Sequence, residues 1–401
     1  MNGIGMQHYV GVADGELIAE IRRLARSLYG LRVLHVNATF HGGGVASMLY
    51  SLIPLMNDVG LDADWSVLYG DPALFAVTKQ LHNGLQGEPV DLTEADLAPY
   101  LATNEAFARY SPILHDVVIA HDPQPLPLIR YAHRENPWVW RCHIDVSSPD
   151  AGVERLLSPY ILQYDAAVVS SEAFRRPGWP LETAIAAPAI DPFSDLNRDL
   201  SDAEIDAKLA EYGIDKERPL LLQVSRFDKW KDPLGVLHVF ENVQAETPCQ
   251  LVMLGNMASD DPEGPVIFGR VKEAAAKLDG ARLITDNDPL LVNALQRQAA
   301  VVLQMSLREG FGLTVSEAMW KKTPVVATRV GGIPLQVVDG ETGFLVEAQD
   351  YDAATDRALR LLRDTDLAAS LAANAREHVR KQFLIPRLLR DWLQVFVDVT
   401  G

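Results

Sequence analysis

Glu309-Gly-Phe-Gly-Leu-Thr-Val-Ser-Glu317-Ala-Met319 sets two carboxylates on either side of a glycine-containing turn. Before it, Ala299-Ala-Val-Val-Leu-Gln304 is an apolar run of strand length; after it, Val315, Ala318 and Met319 recur at helical spacing. A strand, a glycine turn and a helix in that order leave free backbone N–H groups near Gly312, Leu313 and Thr314, where phosphate is stabilised. Glu309 precedes the turn and Glu317 lies in the first helical turns, so the two reach a phosphorylated ligand at different points along its length. A glycosidase pair fits poorly, because eight helical residues rise about 12 Å, beyond the roughly 5–9.5 Å that separates hydrolytic carboxylates.

Outward from this stretch, strand-like and helix-like segments alternate along nearly the whole chain, the pattern of parallel sheets covered by helices. In the first half, strands are expected at Leu31–Asn37, Asp64–Tyr69, Val117–Ala120, Trp138–Cys142 and Ala166–Val169. Val45, Met48, Leu49, Leu52 and Leu55 mark an amphipathic helix. The proline-rich segment 188–197 reads as a linker. In the second half, strands are expected at Pro219–Val224, Gln250–Leu254, Ala281–Thr285, Val301–Gln304 and Pro324–Thr328. Helices are expected at Tyr351–Arg363, Asp366–Gln382 and Pro386–Val397.

At 401 residues the chain suits two domains of roughly 200 residues each. Its 36 basic and 54 acidic residues give a formal charge of −18, which argues against a nucleic-acid or anionic-membrane surface. An anionic ligand must therefore be held by a local basic pocket. Only Cys142 and Cys249 occur, far apart and outside any metal-ligand spacing, which suits a reducing compartment. No secretory pattern opens the chain and no apolar run approaches 18 residues, so a cytoplasmic protein is expected.

Other motifs sit where strands end. His41-Gly-Gly-Gly-Val45 lets backbone approach a ligand closely, notably at Gly43 and Gly44. It is not the G-x-G-x-x-G dinucleotide pattern, and an esterase would also need a G-x-S-x-G elbow, which the chain lacks. Ser225-Arg-Phe-Asp-Lys-Trp-Lys-Asp-Pro233 places Arg226 and Lys231 at a sheet's carboxyl edge, where two cations neutralise a diphosphate. Arg141-Cys-His-Ile-Asp145 puts His143 at another strand end, beside Asp145; Asp122 lies in His121-Asp-Pro-Gln-Pro125. Gly255 and Asp286 follow two strands of the second half. The glycine turns Val330-Gly-Gly-Ile-Pro334 and Asp339-Gly-Glu-Thr-Gly343 have a structural explanation.

The Glu309–Glu317 stretch resembles the E-x7-E signature of retaining nucleotide-sugar glycosyltransferases with the GT-B fold, and that resemblance extends over nearly the whole chain. Arg141–Asp145, Pro188–Pro192 and Val224–Pro233 are similar to runs in the trehalose glycosyltransferring synthases of family 4 and the related retaining trehalose phosphorylases. The resemblance implies two Rossmann-like domains, 1–193 for the acceptor and 194–382 for the nucleotide sugar, facing a central cleft, with 383–401 returning to the first domain.

It also implies roles for the residues already singled out. Arg226, Lys231, Glu309 and His143 would be catalytic. Gly43, Gly44, Gly255, Asp286, Gly312, Leu313, Thr314 and Glu317 would bind the donor, and Asp122, Asp145 and His41 the acceptor. Glu309 would hold donor glucose hydroxyls and Glu317 the ribose. The reaction implied is transfer of glucose from a nucleoside-diphosphate glucose to free glucose, with no metal or other cofactor required. A phosphorylase using glucose 1-phosphate is the nearer alternative; a nucleotide-sugar epimerase or a non-catalytic sensor is the farther one. Partners would be sugars and nucleotide sugars, neither nucleic acid nor membrane, with a homodimer left open.

Overall fold

The computed structural model describes residues 4–40, 43–255 and 263–401. The chain divides into two compact units, one running to Ala189 and taking in Ile385–Gly401, the other running from Ile190 to Leu384. Each contains one six-stranded sheet in which every strand pair is parallel. Helices alternate with the strands, so the fold is α/β, with two Rossmann-like sheets.

The first sheet comprises β1 (Arg32–Asn37), β2 (Asp62–Val67), β3 (Val117–His121), β4 (Trp138–Arg141), β5 (Ala166–Val169) and β6 (Glu182–Ile185). Its order is β2-β1-β3-β4-β5-β6, so the chain reverses direction across the sheet between β1 and β3. Trp138 and Trp140 of β4 are fully buried against Tyr164 and Trp179. The helix Ile385–Thr400 belongs to this unit and packs on the helices Gly15–Ser27 and Gly44–Asp58. It is strongly amphipathic, burying Leu389, Trp392, Leu393 and Phe396. Pro386 is tolerated in its first turn, where the missing N–H has no helical partner in any case. Arg387 ties the helix down by donating to the carbonyls of Ala187 at 2.7 Å and Pro188 at 3.1 Å.

The second sheet comprises β7 (Leu220–Val224), β8 (Gln250–Leu254), β9 (Ala281–Ile284), β10 (Val301–Gln304), β11 (Val325–Thr328) and β12 (Phe344–Val346). Its order is β12-β11-β10-β7-β8-β9, the dinucleotide-fold order, with the reversal between β7 and β10. In open sheets of this kind a ligand crevice forms beyond the carboxyl ends of the strands at the reversal.

The units divide a few residues from the boundaries read in the sequence, at 193 and 382. The Ile190–Asn197 segment is bound into the second unit: Ile190 N–H donates to Phe383 O at 2.8 Å, and Lys321 Nζ to Asn197 Oδ1 at 2.8 Å. Its prolines suggest a free linker, but these bonds fix it. The short strands β6 and β12 also go beyond the sequence reading.

Candidate active site

At the reversal point of the second sheet, β7 ends at Val224 and β10 at Gln304. The chain after β7 runs into a short turn at Lys229–Lys231, capped by Asp228, whose carboxylate accepts from Trp230 N–H at 2.9 Å. Asp228 also holds the Arg226 guanidinium at 3.7 Å. Asp232 closes the turn in the left-handed region, φ 45°, and caps the helix Pro233–Glu246. Tyr351 pins that carboxylate at 2.7 Å. Gln223 Nε2 donates to Lys231 O at 3.0 Å, which anchors the turn to the sheet. The anchored segment after β7 thus carries three cations, Arg226, Lys229 and Lys231.

Lys231 Nζ meets Glu309 Oε2 at 2.5 Å, with the side chains 18% and 8% exposed. The same oxygen accepts from Ser306 Oγ at 3.1 Å and Gln304 Nε2 at 3.3 Å. Thr328 of β11 donates to Ser306 O at 2.6 Å, and Thr314 to Gln304 Oε1 at 3.2 Å. Glu309 is therefore aimed by residues from β10, β11 and the next helix. Gln304, Ser306 and Thr328 were not legible as site residues, because polar residues closing a buried strand carry no motif.

Gly331 shows the same closeness. A Cβ there would lie 1.6 Å from Glu309 O, at φ 53°, so only glycine lets this turn press on the Glu309 loop. The Val330–Pro334 turn is thus structural as expected, and its structure serves Glu309.

Gly312 caps the helix Leu313–Trp320 at φ 83°, without a side-chain cap. Val315 N–H donates to Gly312 O at 3.0 Å. Among the described residues, the N–H groups of Gly312, Leu313 and Thr314 meet no backbone acceptor. A helix start of this kind can accept a phosphate.

Glu317 lies one turn into the helix and is only 6% exposed. Burial holds its carboxyl above the usual range, partly offset by Lys321, whose ammonium burial pulls below its own. Lys321 Nζ donates to Gln296 Oε1 at 2.7 Å and to Asn197 Oδ1. Gly255 has a packing reason as well: a Cβ would stand 1.9 Å from Ser225 O, and its N–H donates to Ile284 O at 3.0 Å. Asp286 follows the edge strand β9, two strands from β7, and accepts from the Tyr212 hydroxyl. The structure does not place it with Glu309 and Lys231.

In the first unit, His35 on β1, His121 at the end of β3 and His143 just past β4 form a row. His35 Nδ1 lies 2.9 Å from His121 Nε2, and His121 Nδ1 lies 3.0 Å from His143 Nε2. Burial lowers the pKa of all three, that of His35 to about 3. Asp122 adopts φ 63° and accepts from His143 N–H at 2.7 Å. Burial raises its carboxyl to about 6.

Asp145 is 4% exposed and accepts from Ser147 N–H and Oγ at 3.0 and 2.6 Å. Arg141 is wholly buried and donates to Ala186 O at 2.8 Å. Gly43 caps the Gly44–Asp58 helix at φ 132°, with open space where a Cβ would be. His41 lies outside the described residues. The sequence had singled out His143 but not His35 or His121, whose alignment depends on strand order. Among the described residues, no group of three or more His, Cys, Asp or Glu is placed to hold a metal, and no helix is long and apolar enough to cross a membrane.

Two Rossmann-like sheets, with a cationic turn and an uncapped helix start at the second reversal point, define the chain as a GT-B glycosyltransferase. The family "Glycosyl transferases group 1" matches residues 204–378, and "Trehalose synthase, N-terminal domain" matches residues 35–176. Trehalose synthase of Rubrobacter xylanophilus is 44% identical across 98% of this chain and 96% of that protein. The trehalose synthase of Thermococcus litoralis is 40% identical across 98% and 97%. The chain belongs to the trehalose synthase family. The solved α,α-trehalose-phosphate synthase (UDP-forming) of Burkholderia xenovorans shares the fold, with a TM-score of 0.73 at 14% identity over 93% of this chain and all of that one.

Proposed function

We propose that this trehalose-related glycosyltransferase moves glucose from a nucleoside-diphosphate glucose to free glucose, forming an α,α-1,1 linkage with retained configuration. The observation that carries the reading is the 2.5 Å Lys231–Glu309 pair at the second reversal point, beside Arg226 and the uncapped Gly312–Thr314 turn. As the donor's anomeric C–O bond breaks, negative charge collects on the departing phosphate. Lys231, Arg226 and the helix N–H groups stabilise it without reorganising. Glu309 stands beside the carbon that becomes cationic and binds donor hydroxyls. The departing phosphate accepts the proton of the attacking hydroxyl on the same face. Glu317 holds the ribose. The cationic side chains supply the charge a metal would otherwise provide, and we propose that no metal is needed.

The test incubates the protein with nucleoside-diphosphate glucoses and glucose, with and without chelator, and identifies the disaccharide. Trehalose and free nucleoside diphosphate, formed only when acceptor is present and undiminished by chelator, are expected. Trehalose formed from glucose 1-phosphate without nucleotide would replace this reading by a phosphorylase. Loss of product with chelator would overturn metal independence.

A further inference from the structure

The row His35–His121–His143 steps obliquely across three adjacent parallel strands. His35 faces Ile119 in register and His121 faces Arg141, so each histidine lies two residues beyond its neighbour's partner. Side chains two apart share a face, which brings the rings into one line. Trp392 of the C-terminal helix stands edge-on to His35, centroids 5.5 Å apart. His35 Nε2 is buried and has no hydrogen-bond partner. His143 Nε2 is taken by His121, which leaves Nδ1 as the ring nitrogen free to meet a ligand.

A neutral imidazole has one donor and one acceptor nitrogen, so a row of them carries a direction. If the His35 proton sat on Nε2, a buried N–H would lack an acceptor, the rarer and costlier kind of orphan. With the proton on Nδ1, His35 donates to His121 Nε2, His121 donates through Nδ1 to His143 Nε2, and His143 is left with Nδ1–H. We propose that His35 and His121 are positioning residues that set the polarity of this row, so that His143 presents a neutral N–H donor at Nδ1. The group it takes is then an uncharged or anionic oxygen acting as acceptor, such as a sugar hydroxyl oxygen. A neutral donor suits an uncharged sugar, because it orients the hydroxyl without adding a buried charge. All three rings must then carry the Nδ1–H tautomer, although a free neutral histidine ring favours Nε2–H.

The kinetic consequence rests on the glucosyl-transfer reading; the tautomer does not. Full-length protein labelled with ¹⁵N-histidine, assigned through His35→Phe and His121→Phe, should show three neutral Nδ1–H rings in long-range ¹H–¹⁵N spectra at pH 7.5. His35→Phe keeps ring volume and removes the first donor, so the His143 signal should move toward Nε2–H. His35→Asn puts an amide donor where Nδ1 stood and should restore the wild-type pattern. With acceptor sugar, KM should rise roughly threefold to tenfold in His35→Phe, the worth of one hydrogen bond, with kcat little changed, and recover in His35→Asn. Fewer than three neutral Nδ1–H rings in the wild-type spectrum overturns the proposal even if no variant folds, and so does Nε2–H on the assigned His143. An unmoved His143 tautomer in folded His35→Phe overturns it too. A protein with the expected tautomers and no glucosyl transfer would sink the reaction and leave the row's polarity standing.

Discussion

Six parallel strands make each sheet, yet the two reversal points hold opposite chemistry. Between β7 and β10 lie charges in contact: Lys231 on Glu309, Arg226 on Asp228, and a helix start with unpaired N–H groups. Between β1 and β3 lie buried neutral imidazoles, bonded to one another. In the proposed reaction, charge in the first setting stabilises the anion that forms, whereas neutrality in the second avoids burying an ion no ligand would balance. The same architecture therefore presents one charged reversal point, which we propose takes phosphate, and one neutral reversal point, which we propose takes hydroxyls. Strand order decides which side chains converge, because it sets which strand ends are neighbours.

The largest consequence of that contrast is acid lability confined to the first unit. In the unfolded chain the three histidines take up protons near 6.5, but burial holds them off in the folded state. Their stabilisation is fully present above 6.5 and is lost as pH falls, at up to about 1.4 kcal/mol per pH unit for each ring. Three rings give about 3 kcal/mol between pH 6.5 and 5.5, and Asp122, raised to about 6, offsets part of this. Glu317 runs the other way, since its raised carboxyl gains on acidification. Hydrogen exchange at pH 7.5 and 5.5, corrected for intrinsic rates, should show β1, β3 and β4 losing protection while β7, β8 and β10 keep it. Equal loss in both units would break the comparison.

Next in size is Lys231→Ala, expected to lower turnover about a hundredfold, a typical loss for one preorganised electrostatic donor. It also leaves Glu309 without its cation at 8% exposure. Arg226 is 31% exposed and 3.7 Å from Asp228, so Arg226→Ala should cost less, about tenfold. Near-normal turnover in both variants would remove the phosphate assignment from the second reversal point.

The two glutamates divide more finely. Glu309→Gln should lower turnover about tenfold while nucleoside-diphosphate affinity holds, the signature of an interaction made in the transition state. Glu317→Ala should weaken nucleotide binding by about tenfold, an affinity change worth 1.4 kcal/mol. Calorimetric titration of both variants separates the roles, and the opposite pattern would exchange them.

Much of this was legible in the sequence where burial is two-sided. Ala166–Val169, Gln250–Leu254 and Val301–Gln304 are strands at the residues read, because continuous apolar runs mark central parallel strands. The helix Tyr351–Arg363 likewise stands where its periodicity put it. β6, Glu-Thr-Ala-Ile, is a half-buried edge strand, and β12 has three residues, so neither carries enough pattern. Strand order was invisible, since both halves alternate alike. Lys231, Glu309 and the Gly312 turn could be found because local motifs carry them. Gln304, Ser306, His35 and His121 could not, because their partners lie on strands that only the folded order makes adjacent.

The smallest expected effect tests whether neutrality in the first unit extends to its one carboxylate in this row. Asp122 holds His143 N–H at 2.7 Å from a left-handed backbone, φ 63°, which asparagine tolerates almost as well as aspartate. Asp122→Asn keeps the backbone conformation and an acceptor for that N–H while removing the charge. The carboxyl's folded value, raised to about 6 from 3.8, means its contribution is present below 3.8 and lost as pH rises through 6. The variant escapes that loss. It should therefore gain about 1 kcal/mol over the wild type at pH 7.5, discounted for partial exposure, and nothing near pH 4. Denaturant midpoints of the two proteins across pH 4 to 7.5 measure the difference. A difference that does not change with pH, or an asparagine variant weaker at pH 7.5, would mean Arg141 compensates the charge fully. The first unit would then hold a buried ion pair beside its histidines, and its contrast with the second would be one of degree.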